Sequence, residues 1–167
     1  THGNPTAYLS AATLAEVISR IIQGHVLYEA VIGARERLEK EANNEKVLEL
    51  LSQAIELAKE KNPSRQKIEQ IGNGFEAHAV LARAVYAALS YEEDYLEGIR
   101  LAVNHSGDSD SVGGITGSIL GSYLGIYKIP TEMISKVELH NEIETLAADL
   151  LTFYQEGEEW LKRYPAW

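Results

Sequence analysis

The sequence predicts an all-α fold, and three observations predict it. Apolar residues recur at i, i+3, i+4 spacing along most of the 167 residues, the period of a helix with one buried face. No stretch alternates apolar and polar residues as a half-buried strand would. Stop signals fall between the periodic segments: Gly24, Asn62-Pro63 and Gly72-Asn73-Gly74. The connections are short, no internal repeat is visible, and residues 1–167 read as one helical domain.

The first helix spans about Thr6 to Gln23 and is apolar on most sides, so it is expected to be buried on most sides. A second runs from about His25 to Lys40. A third covers Glu45 to Lys61, with Val47, Leu48, Leu51, Ala54, Ile55 and Ala58 on one stripe. Pro63 disfavours helix in the residue before it, so this helix stops there. A short helix at Ser64 to Gln70 precedes the Gly72-Asn73-Gly74 turn. Phe75 to Leu89 is strongly apolar, and Tyr91 to Val103 carries acids near its start, where the helix dipole favours anions. Asn104 to Gly114 is a polar, glycine-containing loop. Val112 to Tyr127 then runs sixteen residues without a charge. That is short for a membrane span and includes Thr116, Ser118 and Ser122, so a buried helix is expected. Ile129-Pro130-Thr131 ends it, and one long helix, Glu132 to Tyr154, closes the pattern.

Composition narrows function. The net charge of −10 argues against a nucleic-acid backbone or an anionic membrane surface as main partner. It leaves room for a local phosphate pocket, because dipoles and metals act locally. With no cysteine, disulfides, zinc-thiolate sites, iron–sulfur clusters and a cysteine nucleophile are excluded. No basic segment opens the chain as in a signal peptide. A cytoplasmic location is expected.

The informative stretch is Asn104-His105-Ser106-Gly107-Asp108-Ser109-Asp110-Ser111-Val112-Gly113-Gly114. Two carboxylates and a hydroxyl lie within four residues, between glycines that let the backbone turn sharply and approach a ligand. Nothing in the cluster neutralises the acids, and a cation would. All the donors are oxygens, which suits Mg²⁺, Mn²⁺ or Ca²⁺ and not zinc or copper. Asp and Ser are also good helix N-caps, so the residues alone leave a cation site and a plain cap both open. An EF-hand loop fails, because its fifth and twelfth positions would be Val112 and Ile119. After the loop, Gly113, Gly117, Gly121 and Gly125 repeat every four residues and line one helix face. Each costs roughly 1 kcal/mol of helix propensity relative to Ala, which predicts a neighbouring helix in close approach.

Val103 to Gly113, continuing through the glycine-spaced helix to Ile129-Pro130, resembles the ADP-ribosylglycohydrolase family. The match is to the family's second metal motif, Asp-x-Asp-Ser/Thr. Weaker echoes follow in the same order: Thr1-His2-Gly3-Asn4-Pro5, Gly72-Asn73-Gly74-Phe75 and Glu138 to Leu150. The resemblance implies an all-α fold with a binuclear Mg²⁺ or Mn²⁺ site. Asp108, Asp110 and Ser111 would be ligands, and Asp110 would bridge the ions. The substrate would be ADP-ribose on a protein side chain, arginine first among them, and the reaction a hydrolysis of the N- or O-glycosidic bond. Asp108 and Asp110 are too close in sequence to flank that bond as an acid/base pair, so their catalytic part would be coordination. His2, Gly72, Gly74, Phe75, Asn104 and Gly107 would bind substrate. Phe75 is either an adenine-stacking ring or a core aromatic.

The departures from the family pattern are specific. Family members are about twice this long, and their first half carries another acidic motif and a glutamate. No counterpart is found here; the chain has no Asp-Asp pair, and Val112 stands where Thr is usual. The only methionine is Met133. The chain is therefore expected to be the C-terminal half of such an enzyme, holding half a metal site. A cleaved piece or a separate chain would supply the rest. The other outcome is an inactive helical module that still binds ADP-ribose or a divalent cation.

Overall fold

In a computed structural model, residues 3–152 and 157–165 are described. They contain helices and no strand. Seven α-helices build the first part: α1 Pro5–Ile22, α2 Leu27–Leu38, α3 Glu45–Lys59, α4 Arg65–Glu69, α5 Ala77–Ser90, α6 Tyr95–Val103 and α7 Ser109–Leu124. A single 3-10 turn, Ile126–Lys128, follows. Then come α8 Thr131–Ser135, α9 His140–Thr152 and α10 Glu158–Arg163. The chain divides into two compact units, 1–129 and 130–167.

In the first unit α5 is the central helix. Its sequence is almost wholly Ala, Val, Leu and Tyr, and residues His78 to Ala88 are all buried. Such a helix must be surrounded, and α3, α7, α1 and α6 pack around it. Leu81, Val85 and Tyr86 have at most 1% of their surface exposed. Each buried side chain of this size contributes about 1.5–3 kcal/mol. The α1 start is set by Asn4, whose side chain accepts from the Thr6 N–H at 3.0 Å, with Pro5 in the first turn. Ser64 caps α4 by accepting from the Lys67 N–H, and its own N–H donates to the Tyr86 hydroxyl.

Two of the four spaced glycines, Gly113 and Gly117, meet a neighbouring helix; a Cβ on Gly121 would meet only Ile129 at 3.8 Å, and one on Gly125 nothing within 4 Å. A Cβ on Gly113 would stand 2.6 Å from Val103 Cγ1, and one on Gly117 would stand 3.2 Å from the Tyr95 hydroxyl. From the opposite side, a Cβ on Gly98 of α6 would run into Leu120 Cδ1. Glycine on both helices thus lets α6 and α7 approach closely. Contrary to expectation, α7 is not buried all round. Val112, Gly113, Thr116, Ile119 and Leu120 face the core, while Ser111, Gly114, Ser118 and Ser122 form an uncharged outer face. The outer serines stay in the helix by donating back one turn, Ser118 Oγ to Gly114 O and Ser122 Oγ to Ser118 O. The helix stops at Gly125, whose φ of 77° a side chain would resist. Among the described residues no helix is long and apolar enough to cross a membrane.

The second unit corrects the reading of one long last helix from Glu132 to Tyr154. The path breaks between α8 and α9. The Val137 N–H turns to Ile134 O, three residues back, and Leu139 takes a left-handed φ of 60°. No glycine or proline marks the spot. Tyr154 lies outside the described residues. Within this unit Asp149 accepts from Arg163 Nη1 at 2.6 Å and from the Tyr164 hydroxyl at 2.9 Å. Those two bonds hold its carboxylate below the usual Asp range.

Candidate functional site

The acidic turn lies where three loop segments meet the N-terminus of α7. Its backbone is fixed by bonds from distant parts of the chain. The Asp108 N–H donates to Gly74 O at 2.8 Å, which joins the turn to the Gly72-Asn73-Gly74 segment. Ser106 is held through both of its backbone polar groups. Its N–H donates to Glu69 Oε1 at 2.8 Å, and its carbonyl accepts from Arg83 Nη1 at 2.5 Å.

Arg83 is the organiser, and sequence reasoning passed over it. It is the one charged side chain in the apolar run of α5, and only 2% of it is exposed. No carboxylate pairs with it among the described residues; its guanidinium donates instead to Ile71 O at 2.8 Å, Gly72 O at 2.9 Å and Ser106 O. Nη1 also lies 3.1 Å from His105 Nδ1. That nitrogen also lies 2.8 Å from the Ser106 carbonyl oxygen, which can only accept, so the two contacts ask opposite roles of it. Burial pushes the Arg83 pKa below its ordinary value, and the nearby Glu69 carboxylate acts against that shift. The guanidinium fills the space beside two glycines. A Cβ on Gly74 would stand 2.2 Å from Nη1, and one on Gly107 would stand 3.0 Å from Nη1 and 2.8 Å from Gly74 O. Both have positive φ, 76° and 117°. A lone charge in an otherwise apolar helix was the available signal, because buried charges are retained only with partners.

Glu69 is the second missed residue. The Ser106 backbone N–H, then Arg65, hold its carboxyl down at about 2, against an ordinary value of 4.5. A depressed folded-state pKa favours the fold above the unfolded value, and that contribution disappears as pH falls through the folded one. The melting temperature should therefore fall between about pH 4.5 and 2, and Glu69→Gln should fall less over the same interval. Melting curves at half-unit pH steps check this, and equal slopes would refute it.

Asp108 stands at the N-cap position of α7, yet its side chain accepts no cap hydrogen bond. The neighbouring Asp108 side chain, then the backbone N–H groups of Ser111 and Asp110, hold the Asp110 carboxyl below the usual Asp range. Among the described residues no lysine or arginine forms an ion pair with either acid. Asp110 and Ser111 are exposed at the surface and Asp108 is half-buried. Two neighbouring carboxylates and a hydroxyl, with no counter-charge, suit a hard divalent cation. They are too few to enclose one: no described group of three or more His, Asp or Glu is placed to hold a metal.

The remaining predicted residues divide. Gly74 and Gly107 lie directly at the turn. Gly72 supplies only its carbonyl, since its Cα faces Leu50 and Ala79. Asn104 ends α6 by donating its side-chain amide to Arg100 O at 2.7 Å. Phe75 is 70% exposed, which removes the core-aromatic alternative and leaves a free ring beside Gly74. Asn73 braces that corner, accepting from the Phe75 and Glu76 N–H groups. His105 is buried, with Nε2 unpartnered. His2 lies outside the described residues.

Residues 1–159 match the model of the family described as ADP-ribosylglycohydrolase. The chain belongs to the ADP-ribosylglycohydrolase family. Its relatives include ADP-ribosylhydrolase ARH3 of Mus musculus, 25% identical over 94% of this chain and 50% of that protein. ARH3 of Bos taurus is 24% identical over the same shares. The chain thus spans about half the length of these curated relatives. No solved structure matches it. The family match covers all of the first unit, so Asp108, Asp110, Arg83 and Glu69 all lie inside the ADP-ribosylglycohydrolase segment.

Proposed function

We propose that this chain is part of a metal-dependent hydrolase that removes ADP-ribose from a modified protein side chain. ADP-ribosylarginine is the first substrate to test, and the bond broken is N- or O-glycosidic. The single observation behind the reading is that Asp108 leaves the cap unmade two residues from Asp110, with no lysine or arginine ion-paired to either among the described residues. Asp108, Asp110 and Ser111 would hold Mg²⁺ or Mn²⁺ as one side of a two-ion site. When bound, such ions would supply orientation of the ribose hydroxyls and activation of water. Hydrolysis adds the OH of water to the anomeric carbon as the bond to the side chain breaks, and the other proton of water leaves with the side chain. The chain's own residues bind and orient: the exposed Phe75 ring offers a stacking face for adenine. Gly74 and Gly107 keep the backbone free of side chains beside the acids. His2 and Asn104 complete the proposed substrate contacts.

The second reading is a binding module without activity of its own. One observation favours it: among the described residues the acids are too few to enclose a cation. The remaining ligands would then come from a separate or cleaved chain, in a cytoplasmic setting.

Thermal melting with Mg²⁺ and ADP-ribose separates ligand binding from a purely structural role, because a specific ligand must raise the melting temperature. A rise of about 5–11 °C is expected at ligand concentrations about a hundredfold over Kd, since these add about 2.7 kcal/mol. The Asp108→Ala/Asp110→Ala pair should abolish it. Release of ADP-ribose from arginine-linked and hydroxyl-linked adducts then distinguishes enzyme from module. No shift at millimolar ligand, with the partner half present, would overturn both readings.

A further inference from the structure

We propose that Glu69 is a positioning residue for the acidic turn, setting the place of Asp108 without touching substrate or cation. The proposal rests on the cation reading of Asp108 and Asp110 and deepens it. Glu69 ends the short helix α4, 37 residues before Ser106, yet its Oε1 accepts the Ser106 N–H at 2.8 Å. The same oxygen accepts from Arg65 Nε at 2.9 Å, and Arg65 Nη2 reaches Ser106 Oγ at 3.4 Å. Glu69 and Arg65 thus grip both the backbone and the side chain of one loop residue. Two residues later Asp108 makes its own tie to Gly74 O. Between them stands Gly107 at φ 117°. With the Ser106 amide gripped as well as its carbonyl, the turn has no pivot; without Glu69 it can pivot about the Arg83 bond to Ser106 O and load the Asp108 tie to Gly74 O.

Glu69 suits this role because its side chain is about a third exposed (31%) and fills no core space. Its loss should therefore leave the fold intact, which Arg83 does not guarantee. Groups that orient a metal ligand typically change metal affinity by about 10–100-fold when removed.

The test uses the 167-residue chain with Glu69→Ala and Glu69→Gln, read by amide hydrogen exchange and by Mn²⁺ titration. In Glu69→Ala the Asp108 amide should exchange at least about tenfold faster, and half-saturation by Mn²⁺ should need about tenfold more ion. Its melting temperature at pH 7 should move by no more than about 3 °C, as for a partly exposed ion pair. Glu69→Gln keeps an amide oxygen for the Ser106 N–H and should restore most of both effects. Unchanged exchange at Asp108 in Glu69→Ala would overturn the proposal. If the wild-type chain takes up no Mn²⁺ but Glu69→Ala still frees the Asp108 amide, positioning stands and the cation reading falls.

Discussion

Arg83→Met should lower the melting temperature by about 6–12 °C. Methionine matches the length of the arginine stem but donates nothing. The carbonyls of Ile71, Gly72 and Ser106 then lose their shared donor. Each buried group left unpaired costs about 1–3 kcal/mol. Gly72 and Ser106 lie in loops where water can enter, so the sum should be about 3 kcal/mol rather than the maximum. At about 2–4 °C per kcal/mol for a chain of this size, the stated drop follows. Arg83→Lys should recover little, since one ammonium cannot span carbonyls from two loops in the fork geometry of a guanidinium. Calorimetry on the three proteins checks the order wild type, Lys, Met. Equal stabilities would show that the buried guanidinium is not what joins the loops.

Gly107→Ala comes second, at about 2 kcal/mol or 4–8 °C. Two causes combine. The backbone sits at φ 117°, a region L-residues rarely adopt, which costs about 1–3 kcal/mol. The new methyl would also stand 2.8 Å from Gly74 O, a backbone atom that cannot rotate away. Relief requires Gly107 and Gly74 to part, and that breaks the Asp108 N–H to Gly74 O bond. The variant should therefore lose response to Mg²⁺ as well as stability. Gly114→Ala is the control, because nothing lies within 4 Å of the position its Cβ would take. It should be neutral or slightly stabilising, as Ala is the better helix former. Gly107→Ala melting like wild type would contradict the tightness of the turn.

How much of this was legible in the sequence follows from the range of each interaction. The acidic turn and its glycines are short-range signals, so Asp108 to Gly113 could be read directly. The glycine period on α7 is likewise local, and it called for the close approach that α6 provides. The side chains that fix the turn act over long separations: Glu69 to Ser106, Arg83 to Ser106 and Asp108 to Gly74. No local pattern encodes such pairs. Arg83 alone left a trace, as a charge stranded in an apolar helix. The break before α9 was invisible for a different reason. Ile134, Val137 and Leu139 keep an apolar pattern through it, and Leu139 takes a left-handed φ with no glycine to announce it. Phe75 shows the converse limit, since composition cannot say whether a ring at a helix start faces in or out.

The two grips on Ser106 differ in what can undo them. A guanidinium keeps its proton under any condition in which the protein stays folded, whereas the glutamate's hold on the amide ends once it takes a proton. Strong acid should thus release the residue's amide and leave its carbonyl fastened. The loop would then pivot about its carbonyl anchor rather than come free, and neutralisation would return it to its seat without refolding.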